Sequence, residues 1–492
     1  MAYQIDPAHT GSQSDNLTPP LTQRWSRTFG GPISYPLIAE GKVFVVANFD
    51  ISSYGTKLYA LDQTNGAILW EFEDRSANYR FAGLAYDAGR IFIVNFDAQV
   101  RAFDASSGAF LWRRSLLSDW TYSFTAAPTA FGGSVFVLGE GIGARLFSLS
   151  QQDGSITWST FMQSGGHSSP TVSQTCLYVS FANLHVTCYS PGTGEVIWER
   201  GQATGGGGKT SVLFNDRLYV RDNAADNNLV LNATTGTDIA SYDVKLFPKG
   251  RAPAFSGSTG YFVRAGTLLA RDAASLTVKW SFNSDNITTA PIVVNGYVYV
   301  GSYTGTLYAL DANTGANVWS RKLGEHILEP DESNAQLLTG FAAANGLLVG
   351  SAENTLFAFQ SAPAPIQMLL DTSGPATDQV TALDSLLFLR DPFPVVNAAN
   401  LLNSAIDRNT RVILFVANLQ LLQGETSSSV IVNLIDSNNQ SYDLSAEDVR
   451  TVPDFTFTQV TFRLPNNLAA GTCTIRVRAH GQITNAGTIK IS

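Results

Sequence analysis

Along the first 360 residues, apolar runs of four to six residues alternate with Gly, Asn and Asp, and the alternation repeats. One unit runs through 289–294, an Asn295-Gly296 turn, 297–300, a turn at Tyr303-Thr304-Gly305, 306–310, a turn from Asp311 to Gly315, and 316–320. Short runs rich in β-branched and aromatic residues between such turns predict β-strands, here four to a unit. The segment Leu58-Tyr59-Ala60-Leu61-Asp62, followed by Gly66 and Trp70, returns as Leu307-Tyr308-Ala309-Leu310-Asp311 with Gly315 and Trp319. Weaker copies end at Trp112, Trp158, Trp198 and Trp280; a degenerate copy over 230–240 keeps Thr235-Gly236 but has Ala240 in the Trp place. With Trp25 and Ala240 included, successive positions lie 39 to 46 residues apart, the period of a four-stranded propeller blade.

The turn has a physical purpose. Asp hydrogen-bonds backbone just ahead of it, and Gly takes positive φ without steric cost. The Trp four residues later opens the outer strand and wedges against the neighbouring blade; at Ala240 that contact is underpacked or filled by Tyr242 or Phe247. Seven units run from Tyr35 to Trp319, and an eighth over 340–360 lacks its outer strand, which the Trp25-bearing run 21–27 supplies. The expectation is an all-β, eight-bladed propeller over 1–361, closed by an N-terminal strand so that no sheet edge stays open at the seam.

Beyond Pro363 the Trp-ending repeat disappears. Residues 362–410 read as a linker and crossover, with Asp391-Pro392-Phe393-Pro394 extended and a short helix around 397–405. Residues 411–492 read as a smaller β-sandwich with strands at 411–416, 429–434, 457–464, 473–478 and 488–491. In the fourth of these, Cys473, Ile475 and Val477 face one way and Thr474, Arg476 and Arg478 the other, the pattern of a half-buried strand.

Composition narrows the function classes. A hydrophobic content of 44% excludes a disordered chain, and a net charge of −9 excludes a nucleic-acid binder that works by counterion release. The longest apolar run, 412–422, contains Asn418 and Gln420 and is too short to span a bilayer. Three cysteines are too few for a disulfide scaffold. Cys176 and Cys188 fall at similar heights on neighbouring strands. A one-residue register error would put them on opposite faces, so free buried thiols are expected and a disulfide is the alternative. Few lysines and many Thr, Ser, Asn and Gly suit a secreted, cell-surface or periplasmic protein. Met1-Ala2-Tyr3-Gln4 does not open a signal peptide, so that location supposes a removed leader, and the cytoplasm is the other possibility.

Ala-x-Asp-x-x-Thr-Gly-x-x-x-Trp, complete from Ala309 to Trp319 and nearly so from Ala60 to Trp70, resembles the tryptophan-docking motif of the quinoprotein (PQQ-like) β-propeller repeat. Asp6-Pro7-Ala8-His9-Thr10-Gly11 resembles the opening of many such proteins. The resemblance implies blade-docking roles for Trp25, Trp70, Trp112, Trp158, Trp198, Trp280 and Trp319. The family includes PQQ-dependent dehydrogenases and non-catalytic envelope scaffolds. A dehydrogenase needs a Glu/Asn/Asp set holding Ca²⁺ against the quinone, a catalytic Asp and commonly adjacent cysteines; no residues here match. Leu464-Pro465, the run Gly471-Thr-Cys-Thr-Ile-Arg-Val477 and the later Asn485-Ala-Gly-Thr-Ile489 resemble the last hairpin of IPT/TIG-like immunoglobulin domains.

Function in propellers sits on the loops that enter each inner strand and those that join the second and third strands. These positions nominate Asn48, Asp50, Arg80, Asn95, Asp97, Glu140, His167, Lys209 and Arg251, with Tyr35, Asn78, Lys249, Glu353 and Asn354 beside them. The longest interblade link, 323–338, carries Glu325, His326, Glu329, Asp331 and Glu332 and is placed to cover the mouth. The stretch from Ala203 to Thr210 satisfies a permissive phosphate-loop pattern, but a strand rather than a helix is expected after it, so a plain Gly loop is the reading. No catalytic residue, metal site or cofactor is assigned. The expected function is a non-catalytic envelope or extracellular scaffold binding a protein partner or polysaccharide, with the sandwich as spacer or attachment domain. The alternative is an oxidoreductase with PQQ and calcium in the central channel.

Overall fold

The computed structural model describes residues 1–492 except 49–54, 75–80, 97, 117–121, 142–143, 163–166, 203–207, 223–227, 243–250, 331, 333–336, 374–376, 400–405, 423 and 454. It divides into two compact units, Met1–Ala362 and Pro363–Ser492. Both are all-β, and among the described residues the helical turns are two 3-10 segments, Ala182–Leu184 and Ser427–Ser429.

The first unit is a β-propeller. Among its described residues, eight sheets are each built on four antiparallel strands, with Tyr122–Ser123 added to the third and Ser12–Gln13, in parallel, to the seventh. Sheets one to seven are built from consecutive strands over 37–74, 81–115, 129–161, 171–200, 212–242, 254–283 and 292–322. Sheet eight takes Phe341–Ala344, Leu347–Ala352 and Thr355–Ser361 and borrows Leu21–Thr28, with Leu21 opposite Ser361 and Thr28 opposite Thr355. Middle strands such as Lys42–Asn48 are buried almost throughout because neighbouring sheets cover both their faces, and they read as continuous apolar runs. Outer strands such as Ile156–Phe161 have one open side and stay largely exposed.

Six of the eight outer strands lock onto the next sheet through a tryptophan. The indole Nε1 of Trp25, Trp112 and Trp158 donates to the carbonyls of Gln63, Gln151 and Pro191 at 3.0 Å. Trp198 and Trp280 reach Ala233 and Ala312 at 3.1 Å, and Trp70 reaches Ala105 at 3.3 Å. The ring lies over the turn glycine of that next sheet: a Cβ added at Gly66, Gly108, Gly154, Gly194, Gly236 or Gly315 would stand 2.4 to 2.7 Å from it. A bulge aims the indole, since Ala60 faces Trp70 while Leu61 faces Ile68. Trp319 meets no such turn, and packs edge-on against Phe359 at 5.7 Å.

The contact at Ala240 is filled, and by more than the sequence suggested. Tyr242 is buried and packs its ring against Phe262 at 5.4 Å, as expected of it, while Phe247 lies outside the described residues. The further filler is Leu276, which occupies the turn-glycine position of sheet six at φ +61° and packs with Ala240 against the cluster of Tyr219, Tyr242, Phe255 and Phe262.

The structure also corrects the cysteine expectation. Cys176 and Cys188 are joined, with Cα atoms 5.6 Å apart, inside the range of about 4.4–6.8 Å that a disulfide needs. Cys188 faces Tyr178, so its partner is Cys176, two residues along on the same face rather than directly opposite.

In the second unit, two antiparallel sheets share one hydrophobic core. The supposed linker is part of this unit: Gln367–Met368 and Ala382–Asp384 both pair with Arg411–Ala417. Ile366, Met368, Val380, Ala382 and Phe393 are buried in the same core as Val412, Val460 and Ile475, which is why the stretch is not a spacer. Asn397 to Ala399 carry no helix, and the rest of the expected helix falls at 400–405, outside the described residues. Cys473, Ile475 and Val477 are buried, matching the alternation in the sequence.

Candidate functional site

The inner strands of the propeller gather round the N-terminal segment. Pro7, Ala8, Thr10 and Gly11 accept at their carbonyls from Val172, Leu213, Phe255 and Val293 at 2.7 to 3.0 Å, one inner strand each from sheets four to seven. Ser12–Gln13 then pairs in parallel with Ile292–Val294. His9 is fully buried, with Nδ1 2.6 Å from the Tyr3 carbonyl and Nε2 3.1 Å from that of Pro170. The Tyr3 ring packs against Tyr35 at 5.4 Å and His9 at 6.2 Å. The Asp6–Gly11 motif is thus a plug, with four of its residues, Pro7, Ala8, Thr10 and Gly11, each bonded to a different sheet.

The link between sheets seven and eight comes in from the other side. Glu332 Oε2 accepts from Arg221 at 3.0 Å and its Oε1 from the Thr210 N–H at 3.0 Å, while Arg221 also donates to the Thr210 carbonyl at 2.9 Å. Both ionic side chains are at most 4% exposed. Burial alone would raise the Glu332 carboxyl; Arg221, then Lys209 and the Thr210 donors, outweigh it and hold the group below its ordinary range. Arg251 pairs with Glu329 of the same link and donates from Nε to the Thr288 carbonyl at 2.9 Å. Leu337 and Leu338 pack in one cluster with Tyr3 and Tyr35, so link and plug meet. Burial, with Glu332 next, pushes the Tyr3 phenol well above its usual value.

Of the nominated residues, Lys209 acts on Glu332, and Arg251 meets Glu329 of the same link. His167 Nδ1 lies 2.8 Å from Thr125 Oγ1, and Ser169, two residues on, donates its N–H to Thr210 Oγ1 at 3.0 Å. Asn48 and Asn95 do not join: both are buried, and Asn95 Oδ1 caps its own turn by accepting from the Gln99 N–H at 2.7 Å. Asp50, Arg80, Asp97 and Asp331 lie outside the described residues, as do Asn78, Lys249 and the Glu140 side chain. Lys209 is followed by the strand Val212–Phe214 and no helix, as expected for a loop that does not cradle phosphate. Arg221, Thr210 and Tyr3 were missed. Arg221 directly follows the strand Arg217–Val220, the same loop position that nominated Asn48 and Asn95.

The sheets, the tryptophan–glycine contacts and the axial segment define a PQQ-like β-propeller. Over residues 22–364, in four overlapping stretches, the chain matches the family model described as outer membrane protein assembly factor BamB, and it belongs to that family. It is 26% identical over 245 residues to BamB of Moranella endobia, covering 48% of this chain and 55% of that protein. It is also 25% identical over 247 residues to BamB of Yersinia pestis, so the chain spans about half the length of the curated relatives it matches. A quinohemoprotein alcohol dehydrogenase of Pseudomonas putida is 26% identical over 117 residues, 22% of this chain and 15% of that protein. Two solved structures share the fold. Moraxella catarrhalis BamB has TM-score 0.53 and 18% identity, covering 69% of this chain and 99% of that one. A europium-containing methanol dehydrogenase has TM-score 0.58 and 15% identity, covering 73% and 98%.

Proposed function

We propose that this protein is a non-catalytic, protein-binding module of the bacterial cell envelope, with an eight-bladed ring as platform and an immunoglobulin-like sandwich as spacer or attachment domain. Ring closure is supported by bonds between successive inner strands, including Tyr35 N–H to the Leu338 carbonyl at 2.6 Å across the seam and Thr129 Oγ1 to that of Pro170 at 2.7 Å. The observation that carries the functional reading is the occupied axis. Tyr3, Gln4, His9 and Glu332 are all buried where the resemblance would put a quinone, and they do not fit a bound PQQ. Among the described residues, no group of three His, Cys, Asp or Glu side chains is arranged to hold a metal ion beside it. The Cys176–Cys188 bond supports an envelope location, since disulfides persist in oxidising compartments. No described helix is long and apolar enough to cross a membrane.

The oxidoreductase reading is favoured only by the dehydrogenase relatives. Titration with PQQ and Ca²⁺, followed by thermal unfolding, separates the two. A quinone bound at 100 times its Kd would stabilise by about 2.7 kcal/mol. We expect no saturable shift; a shift of that size overturns the scaffold reading. Photo-crosslinkers at positions 167 and 209 should give discrete protein adducts in cells of the native organism. Adducts at neither position would remove the partner.

A further inference from the structure

We infer that the Arg221–Thr210 locus is a recognition site for a carboxylate on an acidic partner segment, and that Glu332 is the chain's own occupant of it. The geometry is that of a built carboxylate site. Arg221 Nη2 reaches both Glu332 oxygens, at 3.0 and 3.3 Å, and the Thr210 N–H adds a third donor at 3.0 Å. Charge-assisted bonds of this kind are the strong ones, and they serve any carboxylate delivered in that orientation. Lys209 also acts on Glu332, and Arg251 pairs with Glu329 of the same link, so three cations meet the carboxylates of this link in a chain whose net charge is −9.

Stability alone does not account for this arrangement. A buried ion pair is often matched or bettered by well-packed apolar side chains, and the same link uses Leu337 and Leu338 against Tyr3 and Tyr35. A second observation points to a ligand. The Tyr3 hydroxyl, the Gln4 amide nitrogen and the Ser169 hydroxyl are buried with no hydrogen-bond partner among the described residues. The Ser169 N–H bonds Thr210 Oγ1, which sets that residue against the carboxylate locus, and Tyr3 lies within electrostatic reach of Glu332 and Arg221. The Tyr3 and Ser169 hydroxyls would meet the remaining polar atoms of a segment larger than one carboxylate. The occupant also sits on an interblade link, not on a strand of the ring, so an incoming segment has only the link's contacts to replace.

The identity of the ligand as a partner segment rests on the protein-binding reading; the carboxylate site does not. The test uses the full chain as wild type, Glu332→Ala, Glu332→Gln and the double variant Arg221→Met/Glu332→Ala. The probes are a capped Gly-Glu-Gly-Glu-Gly peptide, its Gln counterpart and acetate, followed by calorimetry. Removing the internal competitor should tighten Glu-peptide binding at least tenfold over wild type. The Gln peptide should not bind, and the added Arg221→Met should abolish binding. Equal affinity in wild type and Glu332→Ala, or binding that survives loss of Arg221, overturns the site. A folded Glu332→Ala that binds neither probe does the same. Acetate binding without peptide binding overturns the partner assignment. If Glu332→Ala does not fold, Glu332→Gln gives a smaller change in the same direction, because a neutral amide still fills the site but competes less than a carboxylate for Arg221; unchanged Glu-peptide affinity in it overturns the site. A PQQ-dependent thermal shift in wild type would instead sink the scaffold reading and leave the carboxylate site standing.

Discussion

Sheets two and three meet in one way, sheets five and six in another. At the first contact Trp112 lies over Gly154 and donates to the Gln151 carbonyl. At the second, Ala240 stands in the Trp place and Leu276 in the Gly place, at φ +61°. The two changes go together for a steric reason. A Cβ at Gly154 would stand 2.5 Å from the indole, so the ring forbids a side chain there. Without a ring, nothing forbids it, and an apolar side chain becomes the filler. The turn glycine therefore serves the neighbour's tryptophan as well as its own backbone, because Leu276 adopts the same left-handed conformation and bonds its N–H to the Asp272 carbonyl at 2.8 Å, as Gly154 does to Ser150 at 2.9 Å.

The largest effect should follow from emptying a regular contact. Trp112→Ala removes a buried indole and its hydrogen bond and should cost about 3–5 kcal/mol in urea unfolding followed by near-UV signal. A loss below about 1 kcal/mol would show that the docking motif is not what holds neighbouring sheets together. Gly154→Ala should cost about 1–3 kcal/mol, through overpacking against the ring and the left-handed backbone. The same methyl is already tolerated at 276, so Leu276→Ala should lose only apolar packing, with no clash to relieve.

The comparison sharpens in a double-mutant cycle. Ala240→Trp alone drives an indole against Leu276 and should destabilise by about 1–3 kcal/mol. Leu276→Gly alone removes filler and frees the backbone. Together they rebuild the regular contact, and the pair should be more stable than the sum of the singles by about 1 kcal/mol or more, within the usual range for residues in contact. Additive changes would mean that the two positions are independent and that their joint departure from the motif has another origin.

Much of this was legible because the repeat writes the same contact six times. The Trp spacing located every outer strand, and the orphan strand at Trp25 located the seam. The missing Trp at 240 and the missing Gly at 276, 36 residues later, are both visible in the sequence, but it takes the fold to show that Ala240 and Leu276 pack against one cluster. The strands Gln367–Met368 and Ala382–Asp384 were hidden for a different reason: they are too short for an alternation to show, and tertiary pairing with Arg411–Ala417 makes them strands. At the site, loop position was informative and residue type was not. Asn48, Asn95 and Arg221 lie where second strands end, but of these three, among the described residues, only Arg221 meets a carboxylate, the one that the link carrying Glu332 brings to it.

The smallest predicted effect lies in the turns themselves. Asp311 accepts from the N–H groups of Asn313 and Thr314 at 3.0 and 2.8 Å, and the Thr314 amide, then its hydroxyl, holds the carboxyl below its ordinary value. In sheet five Asn232 makes the same bonds to Thr234 and Thr235, at 3.0 and 2.9 Å, without a charge. A carboxyl lowered on folding contributes stability that is complete above its unfolded pKa and is lost as pH falls through the lower folded value. Asp311→Asn should therefore cost most at pH 6 and progressively less towards pH 3. Because the group is solvent-screened, the difference should be a few tenths of a kcal/mol at most. Asn232→Asp should show the opposite sign, a gain at pH 6 that fades on acidification. Equal stability changes at both pH values in either variant would mean that the charge on the turn carboxylate contributes nothing, and that Asp and Asn are interchangeable as caps of this repeat.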